Sequence, residues 1–214
     1  MILRRLACLL PLATALVLFS TSASAQSATQ RDASLRLTPD SRRVLDMLAD
    51  SLAASGLPSA VLYDKAAEGV LKGASEARII VVVRALAARL RESRRLLGDG
   101  ASEDDLSAAS SALYAGVSPS LVRRAAATRS ERPNAPSLSL TLTVLAALVS
   151  QHVPPEIATA SLETLLRRGA RELDLREFQR SVEGDIVGGT SPVDATTSRT
   201  QHVMQTIDSR RTPE

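Results

Sequence analysis

The chain has 214 residues, of which 44% are hydrophobic and only 2% aromatic, and its formal net charge is +3. So small an excess of basic residues argues against nucleic acid binding, because a polyanion needs many uncompensated basic contacts. The scarcity of aromatic rings argues against sugar-binding and base-stacking sites, which rely on aromatic platforms. A single cysteine, Cys8, excludes a disulfide-stapled fold.

The N-terminus has the three parts of a secretory signal peptide. Arg4 and Arg5 form a positive n-region, residues 6–19 an apolar h-region, and Ala23-Ser24-Ala25 an A-x-A cleavage site. The h-region is shorter than the roughly 20 apolar residues that a membrane-spanning helix needs. We therefore expect cleavage between Ala25 and Gln26 and a periplasmic or secreted location for the mature protein.

Cleavage at this point would leave 189 residues with 24 basic and 23 acidic side chains, a net charge of +1, and no cysteine. That length suits one domain with its own core. We expect residues 26–36 to form a flexible segment and residues 37–190 a single all-helical domain. The polar residues 191–214 are expected to form a short helix followed by a disordered tail.

Corners built from glycine and from Ser or Pro divide the domain into helical segments. Glycine suits the left-handed residue that follows a helix, and Ser or Pro suits the start of the next one. The corners are unevenly spaced, so no fixed-period repeat is predicted. In chain order the apolar spacing predicts helices over residues 38–56, 59–72, 79–97, 102–115, 119–128, 155–168 and 174–187, with a loop over 129–136.

The third of these segments carries the longest apolar seam. It is built by Ile79, Val83, Leu86, Leu90 and Leu97. The added apolar side chains of Ile80, Val81 and Val82 indicate that its first half is buried on more than one side. We expect an all-α fold, a compact and irregular array of short antiparallel helical hairpins around this central helix.

Residues 137–144 fit two patterns. Leucines alternate with Ser and Thr as in a strand, while Leu138, Leu142, Leu145 and Val149 form a helical stripe. We favour a helix, because a lone strand in a helical chain would have no partner for its backbone hydrogen bonds.

No catalytic, cofactor or metal motif accompanies these helices. Of the two histidines, His152 lies at a helix corner, where it would cap the preceding helix, and His202 lies in the expected tail. Asp64 and Glu68 lie one turn apart on a predicted helix, as solvated surface carboxylates do. The sequence has neither a G-x-S-x-G elbow nor a complete phosphate loop. We expect no enzyme activity, no cofactor and no metal site.

Arg84, Arg91 and Arg95 are the candidate binding residues. Their spacing places them on one face of the third helix, roughly opposite its apolar seam. Such a face suits an acidic partner, a lipid headgroup or a cell-wall polyanion. The alternative is a solvated face whose arginines pair with acids of neighbouring helices.

The segment Leu37-Thr38-Pro39-Asp40-Ser41-Arg42-Arg43 resembles the opening of the LTxxQ motif of periplasmic stress-response and chaperone-like helical proteins. The resemblance covers seven residues, Ser41 stands in place of the glutamine, and no second copy follows. It implies a chaperone-like role as one alternative. Capping of a helix by Thr38 and Pro39 explains the same residues.

Helix-building features without a reactive constellation indicate a non-enzymatic protein-interaction or structural component of the cell envelope. We expect it to act through an exposed groove between helical hairpins, on another envelope protein. An adaptor that binds an anionic surface through the arginine face is the alternative partner class, and we expect no nucleic acid partner. Once the signal is removed, no transmembrane segment is expected.

Overall fold

The computed structural model describes residues 36–128 and 134–210. The predicted signal peptide, its cleavage site between Ala25 and Gln26 and nearly all of segment 26–36 lie outside these residues. The described part forms nine helices and no strand, which confirms the all-α prediction. The helices are α1 (Pro39–Ala53), α2 (Ala60–Leu71), α3 (Glu76–Leu97), α4 (Glu103–Ala115), α5 (Pro119–Ala127), α6 (Leu138–Ser150), α7 (Pro155–Arg168), α8 (Glu172–Val187) and α9 (Pro192–Ser209).

Short-range chemistry places most of these boundaries close to the predicted ones. Ser102 begins α4 with a capping box, since its hydroxyl accepts from the Asp105 N–H at 3.1 Å while the Asp105 carboxylate accepts from the Ser102 N–H at 3.2 Å. α8 begins two residues before the predicted Asp174. The reason is that the Asp174 carboxylate accepts from the Arg171 backbone N–H at 2.7 Å and so lies inside the first turn.

Residues 138–150 are helical, which confirms the helix interpretation of the ambiguous segment. The Ser137 hydroxyl caps α6 by accepting from the Leu140 N–H at 3.1 Å. Leucines alternate with hydroxyl residues because α6 is buried on several sides and packs against α4, α5, α7 and α8. Its buried hydroxyl, on Thr141, donates to the Ser137 carbonyl at 3.0 Å, so the polar residue is compatible with the core.

Two clusters of buried side chains fill the interior. The first joins α1, α2 and α3 and includes Leu45 and Leu62. The second joins α4 to α9 around Phe178, the bulkiest of the fully buried side chains. α4 contributes to both clusters, since Leu106 belongs to the first and Ala109 to the second.

The long helix α3 packs against α1, α2, α4 and α5. Its seam is buried at Ile79, Val83 and Leu90. The prediction that the first half of α3 is buried on more than one side is wrong at Val81, which is 65% exposed. Ile80 and Val82 are half-buried, because neighbouring helices cover α3 only in part.

Residues 191–214, which were expected to form a short helix and a disordered tail, contain the long helix α9. Its eighteen residues pack against α7 and α8, and the hydroxyls of its buried residues Thr196 and Thr200 donate to carbonyls one turn earlier, both at 2.7 Å. This internal bonding lets a polar sequence present a buried face. Three ion pairs between helices fasten it, namely Arg199–Asp185 at 2.6 Å, Arg168–Asp208 at 2.9 Å and Arg210–Asp174 at 2.9 Å.

None of the helices within residues 36–128 and 134–210 combines the length and the apolar character needed to cross a bilayer.

Gly69 allows α2 and α3 to approach closely. A Cβ atom at this position would lie 2.7 Å from Cγ1 of Ile79, which is 3% exposed and belongs to the first core cluster. The glycine therefore has a packing role in the middle of a helix, where it costs about 1 kcal/mol relative to alanine.

We predict that Gly69→Ala lowers the free energy of unfolding, because an overpacking cost of about 1–3 kcal/mol exceeds the gain in helix propensity. In an Ile79→Ala background the same change should instead stabilise the protein. Urea unfolding followed by circular dichroism measures both effects.

Gly184→Ala provides the matched control. Gly184 also lies inside a helix, but apart from its chain neighbours and the nearby backbone of its own helix no atom lies within 4 Å of the site of its missing Cβ. This substitution should stabilise by up to about 1 kcal/mol. Stabilisation by Gly69→Ala in the unchanged background would contradict the packing role.

Candidate functional site

A groove with a volume of about 400 Å³ opens between α2, α3 and α4. This volume lies within the range of roughly 300–1,000 Å³ that is typical of ligand sites. The groove is contributed by three helices that meet where the first core cluster ends. Its lining residues are Val61, Asp64, Lys65, Glu68, Val82, Leu86, Arg89, Leu90, Ser107, Ser110, Ser111 and Tyr114.

Apolar side chains form one part of the groove. Val82 and Leu86 lie one turn apart on α3, and Val61 lies on α2. All three are half-buried, whereas Leu90 beside them is fully buried and belongs to the core. The groove therefore offers apolar surface that remains accessible from outside.

Arg89 is the distinctive polar group of the groove. Its guanidinium carbon lies 4.9 Å from the centre of the Tyr114 ring, a cation–π contact. The Nε atom of Arg89 is buried and has no hydrogen-bond partner among the described residues. No carboxylate of these residues forms an ion pair with the guanidinium. Burial lowers the pKa of Arg89, yet an arginine keeps its charge. The groove thus holds a cation without a counterion.

Ser110 adds a second buried donor. It is 3% exposed, and its hydroxyl has no hydrogen-bond partner in the described part of the chain. Ser93, which is equally buried on α3, instead donates to the Arg89 carbonyl at 2.9 Å. A buried polar group without a partner costs about 1–3 kcal/mol. Ser110 therefore differs from an ordinary buried serine of this protein.

The paired carboxylates predicted on α2 do not act together. Glu68 accepts from Lys65 at 2.7 Å and from Lys72 at 2.5 Å, and these hydrogen bonds lower the pKa of Glu68 to about 2. Asp64 is exposed at the edge of the groove. Across residues 36–128 and 134–210, no group of three His, Cys, Asp or Glu side chains is arranged to hold a metal ion.

The three arginines predicted as a binding face have different surroundings. Arg91 donates to the Ser51 hydroxyl at 3.0 Å, and Arg95 pairs with Glu92 at 2.7 Å. Arg84 is exposed and has no such contact within the described residues. Arg94, beside this face, donates to the Gly56 carbonyl at 2.8 Å. None of these four lines the groove.

The histidines stand apart from the groove. His152 is exposed in a left-handed conformation with φ of 66°, and its N–H donates to the Val149 carbonyl at 3.0 Å, which ends α6. His202 is part of α9 and lines a small cleft of about 80 Å³ near Asp174 and Glu177. The two side chains thus lie in different parts of the molecule.

The residues that resemble an LTxxQ motif connect two helices. The Glu76 carboxylate accepts from the Thr38 N–H at 3.1 Å and from the hydroxyls of Thr38 and Ser41, both at 2.6 Å. The bonds from Ser41 and Thr38 lower the pKa of Glu76. Thr38 does not cap α1 through its side chain, because its hydroxyl is directed to the start of α3. These contacts give the segment a structural role.

The arginines that the sequence pattern singles out do not line this groove. Arg84, Arg91 and Arg95 share a face and are easily recognised, whereas Arg89 lies alone between Leu86 and Leu90. The sequence signal that could have indicated Arg89 is its position at the margin of the apolar seam of α3. Its lack of a partner depends on α4, which lies elsewhere in the sequence.

This chain matches no known family model, no curated protein and no solved structure.

We predict that Ser110→Ala raises the free energy of unfolding by roughly 1 kcal/mol, because it removes a buried hydroxyl without a partner. Ser111→Ala is the control, since Ser111 is exposed and donates to the Ser107 carbonyl at 3.0 Å. Urea unfolding of both variants isolates the effect of the buried hydroxyl. Equal stabilities of the two variants would show that the Ser110 hydroxyl is satisfied in solution.

Proposed function

We propose that this chain is a non-enzymatic binding protein of the cell envelope that acts by protein contact through the α2–α3–α4 groove. The observation that carries the proposal is the combination of exposed apolar surface with a cation and a hydroxyl that lack partners. Polar groups left unsatisfied in a folded protein lower its stability, so their presence in an accessible groove favours a binding role.

The groove supports this proposal better than the arginine face does. Arg95 pairs with Glu92, whereas Arg91 donates to the neutral Ser51 hydroxyl, which leaves Arg84 and Arg91 as the cations of that face without an acidic partner among the described residues. Binding to a polyanion needs several uncompensated cations. One accessible apolar groove with one unpaired cation suits a protein segment better.

We predict that a photoreactive amino acid placed at Ser111 captures one recurring partner protein in the native envelope. Ser111 is exposed, lines the groove and bonds to the carbonyl one turn earlier. Crosslinking followed by mass spectrometry identifies the captured segment. Ser107→Trp, which fills the groove, should abolish the capture.

Thr197 on α9 is the matched control position. It too is exposed and bonds to the carbonyl one turn earlier, but it lies outside the groove. The same captured proteins at Thr197 and Ser111, or none at Ser111 in repeated trials, would count against the groove as a contact site.

The envelope location rests on the signal-like N-terminus. Arg4 and Arg5, the apolar residues 6–19 and the A-x-A sequence ending at Ala25 support export to the periplasm or beyond the cell. We predict that the protein isolated from its native cells begins at Gln26. Intact-mass spectrometry measures this directly, and a mature chain that begins at Met1 would overturn the proposed location.

A further inference from the structure

Arg89 and Ser110 both line the groove, Arg89 from α3 and Ser110 from α4. Ser110 and Tyr114 lie one turn apart on α4, and the Arg89 guanidinium rests on the Tyr114 ring. Both the Arg89 Nε–H and the Ser110 O–H are buried donors without an acceptor among the described residues. What the site lacks is therefore an acceptor.

The missing acceptor is inferred to be an anion, because Arg89 is the lining cation that has no ion pair among the described residues, whereas Lys65 pairs with Glu68 at 2.7 Å. Glu68 already has two lysine partners, and neither Glu68 nor Asp64 forms an ion pair with Arg89. A charge-assisted hydrogen bond from a guanidinium to a carboxylate is about twice as strong as a neutral one. An anion would satisfy both donors and neutralise the cation.

The groove also limits the kind of anion. It offers one unpaired guanidinium next to Val61, Val82 and Leu86, whereas a nucleic acid or another polyanion would need a row of cations. A single carboxylate with apolar neighbours satisfies both parts of the groove.

We propose that the partner segment is acidic and apolar, with one Asp or Glu carboxylate that accepts from Arg89 and Ser110 while adjacent apolar side chains pack on Val61, Val82 and Leu86. This inference rests on the proposed protein contact through the groove. It assigns the partner chemistry and gives Arg89 the role of the specificity-determining residue.

Panning of a random peptide library against the purified protein tests the proposal without a known partner. We expect the selected peptides to be enriched in Asp or Glu flanked by Leu, Ile, Val or Phe. Changing that acid to its amide should weaken binding about tenfold, as should Arg89→Met, which keeps an unbranched stem and removes the charge. Fluorescence anisotropy with labelled peptides measures both changes.

Arg84→Met is the control on the same helix, because Arg84 is exposed and lies outside the groove. Its affinity for the selected peptides should remain within about twofold of that of the unchanged protein. In the Arg89→Met variant the acid-to-amide change should no longer matter. Ser110→Ala supplies a second test that does not depend on how Arg89→Met folds, and it should weaken binding several-fold while leaving the helical circular dichroism unchanged.

Different failures have different meanings. Selected peptides that are apolar but lack an acid, and whose binding Ser107→Trp blocks, would overturn the acidic partner and leave the groove as a protein site. Failure to select any groove-dependent peptide would overturn the proposed function itself. Self-association of the concentrated protein that Ser107→Trp abolishes would assign the groove to a second copy of the chain and overturn the acidic partner.

Discussion

The packing of α4 against α6 is the contact on which the rest of the structure depends. α4 presents the small side chains of Ala108, Ala109 and Ala112 to the second core cluster, and these let α6 approach closely. Leu106 on the same helix closes the first cluster. α4 thereby joins the two cores, and α3 also reaches the second one, since its Leu96 and Leu97 pack against that cluster. A larger residue at these alanines would move α4 away from α6 and disturb the second core.

The same helix also supplies one wall of the groove. Its alanines are committed to α6, so Ser107, Ser110, Ser111 and Tyr114 are left for the side that faces α2 and α3. Position in the fold thus determines which α4 residues pack and which remain for binding. On α4 the buried hydroxyl without a partner, Ser110, lies on the groove side; Arg89 Nε lines the same groove, while a third unpaired buried atom, Arg94 Nε, lies outside it.

Sequence reasoning recovered the helices because their signals are local. Capping by Ser102 and the periodic leucines of α6 depend on residues within one or two turns. It expected only a short helix where the eighteen-residue α9 lies, because burial of Thr196 and Thr200 depends on α7 and α8. The groove was likewise hidden, since Arg89 and Tyr114 are 25 positions apart in the numbering and meet only through the packing of α3 on α4. An absent partner leaves no pattern in a sequence.

The ion pairs of α9 bear on the order in which the chain acquires its structure. Arg168 pairs with Asp208 and Arg210 with Asp174, so each contact spans more than 35 residues and uses the last helix. Contacts of such separation close large loops and form late. α9 contributes Ala195, Val203 and Ile207 to the second core cluster and packs against α7 and α8. Without it, the apolar sides of these two helices are uncovered. The second core is therefore complete only when α9 is in place, and a chain truncated before α9 would expose apolar surface that favours aggregation.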